Sequence, residues 1–335
     1  MSKGTSLARL IGSIGVLALP FLASAQGTGC WLRDAVAPTA TTVYVLCEQG
    51  TVHITKDAGA TWLAVDTGAK TKLTSMAAVD TDHVVLVGDS GTILATGDGG
   101  KTWQAVVNDK KETVTKENLL AINNAGSQLW TSGFDGAILH STDGGRTWDT
   151  QTSGTTMGLE DIFFLDANRG WAVGWSGTIL RTADGGKKWE DVKSKNATWT
   201  LSSVYFRDAN NGWAAGFAGQ LLQSRDGGAT WEKQDSSVKA SLKDVMFDNA
   251  NRAWITSDEQ FLLSEDGGVK WRAVKTDRNV FLRRLIPVGN SLWAVGQLGV
   301  LKQGTGLTWT AVASLVPAAA KPPAAAAAPA RPVAR

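Results

Sequence analysis

Residues 201–231 read LSSVYFRDANNGWAAGFAGQLLQSRDGGATW. Leu201 to Phe206 is read as the first strand. Asp208-Ala209-Asn210-Asn211-Gly212 is a turn, because Asn and Gly tolerate positive φ. Trp213 to Ala215 forms a second strand, Gly216-Phe217-Ala218-Gly219 a tight hairpin tip, and Gln220 to Ser224 a third strand. Arg225-Asp226-Gly227-Gly228 turns again, and a fourth strand begins at Thr230. Similar closing phrases end at Trp62, Trp103, Trp148, Trp189, Trp231, Trp271 and Trp309, spaced 41, 45, 41, 42, 40 and 38 residues apart. A period near forty with four short strands per period predicts an all-β, seven-bladed β-propeller of four-stranded antiparallel blades. One such blade cannot bury both of its faces alone, whereas seven in a ring can.

Outside the repeats the chain has two biased ends. Lys3 and Arg9 precede an apolar run from Leu10 to Leu22, followed by Ala23-Ser24-Ala25. This order of charge, apolar stretch and small residues predicts a signal peptide over residues 1–25, cleaved near Ala25. The propeller is expected over 26–313, and the protein is expected to be periplasmic or secreted. Residues 314–335 are rich in Pro and Ala with few large apolar side chains, which predicts a disordered tail.

Export gives the only two cysteines a meaning. Cys30 precedes the first strand of blade 1 and Cys47 ends its second. An up-and-down hairpin brings both to one side, so a disulfide is expected. The net charge of +2 offers no global field for nucleic acid. His53, His83 and His140 lie in separate blades without ligand spacing, so neither a metal nor another cofactor is expected. A monomer is expected.

The closing phrase has its own chemistry. An Asp side chain accepts backbone N–H bonds within its turn, and the glycines take left-handed conformations. Ser141-Thr142-Asp143-Gly144-Gly145-Arg146-Thr147-Trp148 resembles the Asp-box of bacterial neuraminidase repeats, S/T-x-D-x-G-x-T-W. The resemblance implies a structural corner, with Asp57, Asp98, Asp143, Asp184, Asp226 and Asp266 as its carboxylates. The seventh copy reads Gly304-Thr305-Gly306 and has lost its Asp. That loss is tolerable in a corner and intolerable in a sevenfold catalytic device.

The same motif raises the alternative of a carbohydrate-binding or sialidase-like glycoside hydrolase. Sialidases use an arginine triad with a Tyr–Glu pair. This chain has only Tyr44 and Tyr205, both read as strand residues. Asp161 and Asp244, each two residues after the leading Leu of a first strand, could face one another across the channel. They are expected to line it in solvent. No catalytic residue is assigned, and the expectation is a protein without enzymatic activity.

Of fifteen tryptophans, seven close the repeats and five (Trp130, Trp171, Trp213, Trp254 and Trp293) hold the second-strand position. Trp31, Trp175 and Trp199 break that grammar. Trp175 occupies a hairpin tip whose neighbours carry Phe134 and Phe217, and Trp199 lies in the connection between blades 4 and 5. Up-down strand order puts tips and blade-to-blade connections on one face and the Asp-Gly-Gly corners on the other. Phe134, Trp175, Trp199 and Phe217 are therefore candidate partner-binding residues, with Arg283 and Arg284 as a basic rim. Arg278 and Lys193 add charge near that rim.

At Gly170-Trp171-Ala172-Val173-Gly174 and Gly212-Trp213-Ala214-Ala215-Gly216 a strand ends in a GW-[AV]-VG hairpin followed by the Asp-box. Over residues 30–313 the chain resembles the photosystem II assembly and stability factor family. That resemblance implies an exported, seven-bladed scaffold that binds a membrane-protein or envelope-complex partner and assists its assembly. The family's basic patch is echoed at Arg283 and Arg284.

Overall fold

The computed structural model describes residues 30–313, apart from 193, 249–250, 275–280, 297–298 and 305–307. The expected signal peptide and tail, Lys193 and Arg278 lie outside the described residues. Within them, no helix is long and apolar enough to cross a membrane.

Seven four-stranded antiparallel sheets follow one another along the chain, each built from consecutive strands. The innermost strands are Leu32–Val36, Leu73–Ala78, Leu119–Ala125, Leu159–Phe164, Leu201–Phe206, Leu242–Phe247 and Leu282–Val288. Every one begins with a buried leucine, and pairing with the second strand shifts register just after it. This repeated bulge aims the residue two places after the leucine differently from a regular strand.

The core is cut into seven wedges, one at each junction between blades. The wedge between blades 4 and 5, for example, joins Trp171, Val173 and Ile179 to Leu201, Val204 and Phe206. Each sheet is thus buried on both faces, which accounts for the near-continuous apolar second strands. The second-strand tryptophan is the joint. Trp171 stacks on Phe206 at 3.5 Å between ring centroids and donates its indole N–H to the carbonyl of Gly227 in the next blade, at 3.0 Å. Gly228 follows in that corner at φ +82°, and a Cβ there would fall 2.5 Å from the Trp171 indole nitrogen. The second glycine of the corner is therefore needed for conformation and for space.

The ring closes by the same apolar packing but without the indole bond, since the Trp293 N–H finds no acceptor among the described residues. Blade 1 starts with its own innermost strand, Leu32 pairing with Cys47. Residues 30–32 thus belong to blade 1 and add no strand to blade 7. Leu32, Val43 and Val45 pack against Ile286, Trp293 and Val300 of blade 7. Gly59 of the first corner meets Trp293 as Gly228 meets Trp171. Cys30 and Cys47 form a disulfide with Cα atoms 5.6 Å apart, clipping the innermost strand to its neighbour.

Candidate functional site

Two faces flank the ring. On one, each corner amide bonds to the turn between first and second strands of its own blade: Gly185 N–H donates to Asn168 O at 2.9 Å and Gly227 N–H to Asn210 O at 3.0 Å. On the other, each hairpin tip bonds to the incoming connection. Phe134, Trp175 and Phe217 donate their N–H groups to the carbonyls of Asn118, Gly158 and Thr200, each at 2.9 Å.

The corners are internally satisfied. In six of them a Thr or Ser hydroxyl donates to the Asp and accepts the N–H of the glycine two residues after it at 2.8–3.0 Å. The same carboxylate accepts the N–H four residues on, as from Thr147 to Asp143 at 3.0 Å. In the first corner, bonds from the Thr61 hydroxyl and amide and from Thr55 hold the Asp57 carboxyl down at about 2. These lone pairs are spent on the turn, and the geometry is that of a corner rather than a ligand cage.

The tip face presents unspent surface. Four of its tips are short 3-10 turns, Asp89–Gly91, Phe134–Gly136, Trp175–Gly177 and Phe217–Gly219, with Ser90, Asp135, Ser176 and Ala218 in the left-handed region at φ 53–55°. Phe134 is half-buried against Trp175, ring centroids 5.1 Å apart. Trp175 lies over Gly158, where a Cβ would come within 2.8 Å of the indole, and donates to Glu160 at 2.6 Å. Lys243 sits over the ring of Phe217 at 5.3 Å and pairs with Asp258 at 3.2 Å. Trp199 is 57% exposed and lines a separate hollow of about 500 Å³ with Gln220 and Lys233. The four aromatic residues thus share a face but not one contiguous cluster: Phe134 and Trp175 touch, Phe217 leans toward the channel, and Trp199 lies outward.

The channel mouth opens on this face as a cavity of about 310 Å³. Residues at the bulge line it, among them Arg33, Lys243 and Arg283 against Glu160, with Phe217 at its edge. Immediately before the leading leucines of blades 1 and 7 stand Trp31 and Phe281, both about half exposed. Trp31 has no place in the repeat grammar, and nothing in that grammar marks Phe281. Aligning the seven first strands on their leading leucine finds both, because that register puts one residue per blade on the rim.

Beneath the rim the structure corrects two expectations. Asp161 and Asp244 are buried rather than solvated. Each accepts the N–H of the next blade's innermost strand: Asp161 from Val204 at 2.9 Å and Asp244 from Leu285 at 2.7 Å. Asp34 does the same for Met76 at 3.0 Å. Arg284, expected on a free basic rim, instead reaches Asp34 at 3.2 Å and Asp244 at 3.6 Å, with 31% of its side chain exposed. Only Arg283 of that pair stays at the surface. The reason is the bulge: the residue after the leucine faces the mouth, and the following one turns inward to the carboxylates. Burial disfavours the charge on Arg284, but Asp244, Asp34 and Asp161 outweigh it and raise its pKa. Burial pushes the Asp161 carboxyl up to about 7, against the pull of Arg284 and the Val204 N–H. These acids rivet blade to blade, which leaves them poorly suited to flank a substrate.

Among the described residues, one His/Cys/Asp/Glu group has metal-ligand spacing: Cys30, Cys47 and His53. The disulfide between its sulfurs takes them out of use as thiolate ligands.

A family model described as "Photosynthesis system II assembly factor YCF48" matches residues 54–155 and 149–239, together more than half of the chain. The chain belongs to this family. Among solved structures, YCF48 bound to D1 peptide superposes with a TM-score of 0.69 at 18% identity, over 82% of this chain and 93% of that one. YCF48 from Cyanidioschyzon merolae gives 0.66 at 18%, over 82% and 96%. A GH74 enzyme of Niastella koreensis gives 0.66 at 15%, over 84% of this chain but 54% of its own. At these identities the likeness to each solved structure is one of fold. Comparison with curated protein sequences returns no match.

Proposed function

We propose that this YCF48-family chain is an exported, non-enzymatic scaffold whose tip face holds a segment of a membrane-protein client during assembly. One observation carries the reading. A cationic mouth of Arg33, Lys243 and Arg283 opens on the face where Trp31, Phe217 and Phe281 are exposed. Arg283 is exposed, while Arg33 and Lys243 are held at the rim by Glu48 at 3.8 Å and Asp258 at 3.2 Å. Such positioned cations beside large rings suit an extended protein segment bearing carboxylates. The solved relative with D1 peptide supports a peptide-binding role for such a ring. The buried, riveted state of Asp161 and Asp244 supports a role without hydrolysis. The leader-like start of the sequence and the disulfide support an exported setting.

The test is capture from crosslinked membranes, comparing the wild type with Arg33→Glu/Arg283→Glu. The variant is expected to fold with an unchanged melting temperature and to lose at least tenfold of the captured membrane protein. Equal capture by a folded variant would place the client elsewhere.

A further inference from the structure

The seam where blade 1 packs on blade 7 holds a further cluster of reactive side chains. Cys47 ends the second strand of blade 1, Val43–Cys47, and His53 stands in the third, Thr51–Thr55. The turn between them is pinned by the N–H of Gly50 donating to Cys47 O at 3.0 Å. Val45 pairs with His53, and Val45 and Cys47 share one face of the sheet. His53 and Cys47 are therefore diagonal neighbours on that face. The N–H of Glu48 donates to Trp31 O at 3.0 Å and draws Cys30 alongside. The sulfurs of Cys30 and Cys47 and a ring nitrogen of His53 all lie within 4.8 Å of one another.

His53 is the uncommitted histidine of the three. His83 pairs with Asp80 at 2.8 Å and His140 with Gln128 at 2.9 Å, whereas among the described residues the His53 ring has no hydrogen-bond partner. His53 and Cys30 are half-buried, and Cys47 is buried. Zinc takes thiolates at about 2.3 Å and imidazole at about 2.0 Å, which sets tetrahedral donors about 3.5–3.8 Å apart. A group already within 4.8 Å reaches that spacing by small side-chain rotations once the S–S bond is open.

We infer that reduction of the Cys30–Cys47 disulfide turns this cluster into a site for Zn²⁺, with two thiolates and the His53 imidazole as ligands and water in the fourth position. A dithiol supplies the two electrons. Its thiolate attacks Sγ of Cys30, the less buried sulfur, the S–S bond breaks, and Cys47 leaves as a thiolate. The second thiol of the reductant then displaces Cys30 and closes a cyclic disulfide, and the two protons of the reductant pass to the cysteines. Zn²⁺ takes the place of those protons, which go to solvent. The ion ties the same two strands that the disulfide ties. The innermost strand of blade 1 therefore stays fastened to its neighbour in oxidising and reducing surroundings alike.

The experiment uses the full, untagged chain, stripped of metal, with Co²⁺ as the probe and a phosphine as the reductant because it competes little for the ion. The reduced chain is expected to take up one equivalent of Co²⁺ with a thiolate-to-cobalt charge-transfer band, and Zn²⁺ is expected to displace it. The oxidised chain is expected to show no such band. His53→Ala is expected to weaken binding at least tenfold while still forming the disulfide, and Cys30→Ser/Cys47→Ser to abolish the band. Zn²⁺ is also expected to raise the urea midpoint of the reduced chain and to leave that of the oxidised chain unchanged. A reduced chain without the band, equal affinity in His53→Ala, or a reduced-chain midpoint that Zn²⁺ does not move would overturn the inference.

Discussion

The two faces of the ring are built by the same seven repeats and treat them differently. On the corner face, the hydroxyl, the carboxylate and the glycine two residues after it recur with bonds that vary by only 0.2 Å over six blades. On the tip face, one backbone turn carries Asp89, Phe134, Trp175 or Phe217 at the same position. Repetition marks places where the turn must spend its polar groups on itself. Variation marks places where the backbone is already satisfied and the side chain is free.

The sharpest way to break this contrast is at the joint between a corner and its neighbour. Gly228→Val puts a branched side chain at φ +82° and into the Trp171 ring. Strain and overpacking together are expected to cost about 3–5 kcal/mol. Urea unfolding at equilibrium measures it. A loss below about 1 kcal/mol would mean that the joint relaxes freely.

Next in size is a difference in pH response. Asp161 holds its proton up to about 7 in the folded ring. The native state therefore binds a proton that the unfolded chain has released above roughly pH 4. Stability from this group falls as pH rises from about 4 to 7 and then levels off. The corner carboxylate Asp57 has the opposite sign: its contribution is present above about 4 and is lost as pH falls toward 2. Asp161→Asn is expected to flatten the fall between pH 4 and 7 and to be more stable than the wild type above pH 7. Thermal unfolding across pH 3–8 follows both limbs, and an unchanged slope in the variant would assign the proton to another group.

Asp143→Ala removes acceptors for the Arg146 and Thr147 amides and is expected to cost about 0.5–2 kcal/mol, as for a lost cap. Client capture by the folded fraction is expected to persist. Abolished capture at unchanged stability would reverse the roles of the two faces. The smallest stability effect belongs to Trp175→Ala/Trp199→Ala, within about 1 kcal/mol because neither ring is in a wedge. Its capture is expected to fall severalfold, and wild-type yield would shift attention to Trp31 and Phe281.

The fold was legible because each structural demand is written in a local pattern. The Trp-ended phrase, the Asp-Gly-Gly corner and the hairpin tips each appear within a few residues. The site was legible only in part. Trp175 stands out because a tip has a repeat-based expectation to violate. The fate of Arg284 was hidden, because adjacent arginines look alike until a bulge sends one outward and the next toward Asp34 and Asp244. The same bulge carries Asp161 and Asp244 out of solvent, and nothing in the spacing of a single strand announces it.

The Cys30–Cys47 bond has a mechanical consequence. Because blades 1 and 7 share no strand, tension applied through the residues before Cys30 would otherwise peel Leu32–Val36 from the inside of the ring, one hydrogen bond after another. The bond delivers that load to Cys47, at the end of a strand paired on both of its edges. A pull on the residues before Cys30 is thereby shared with a strand held on both edges, and the innermost strand resists unzipping from that end.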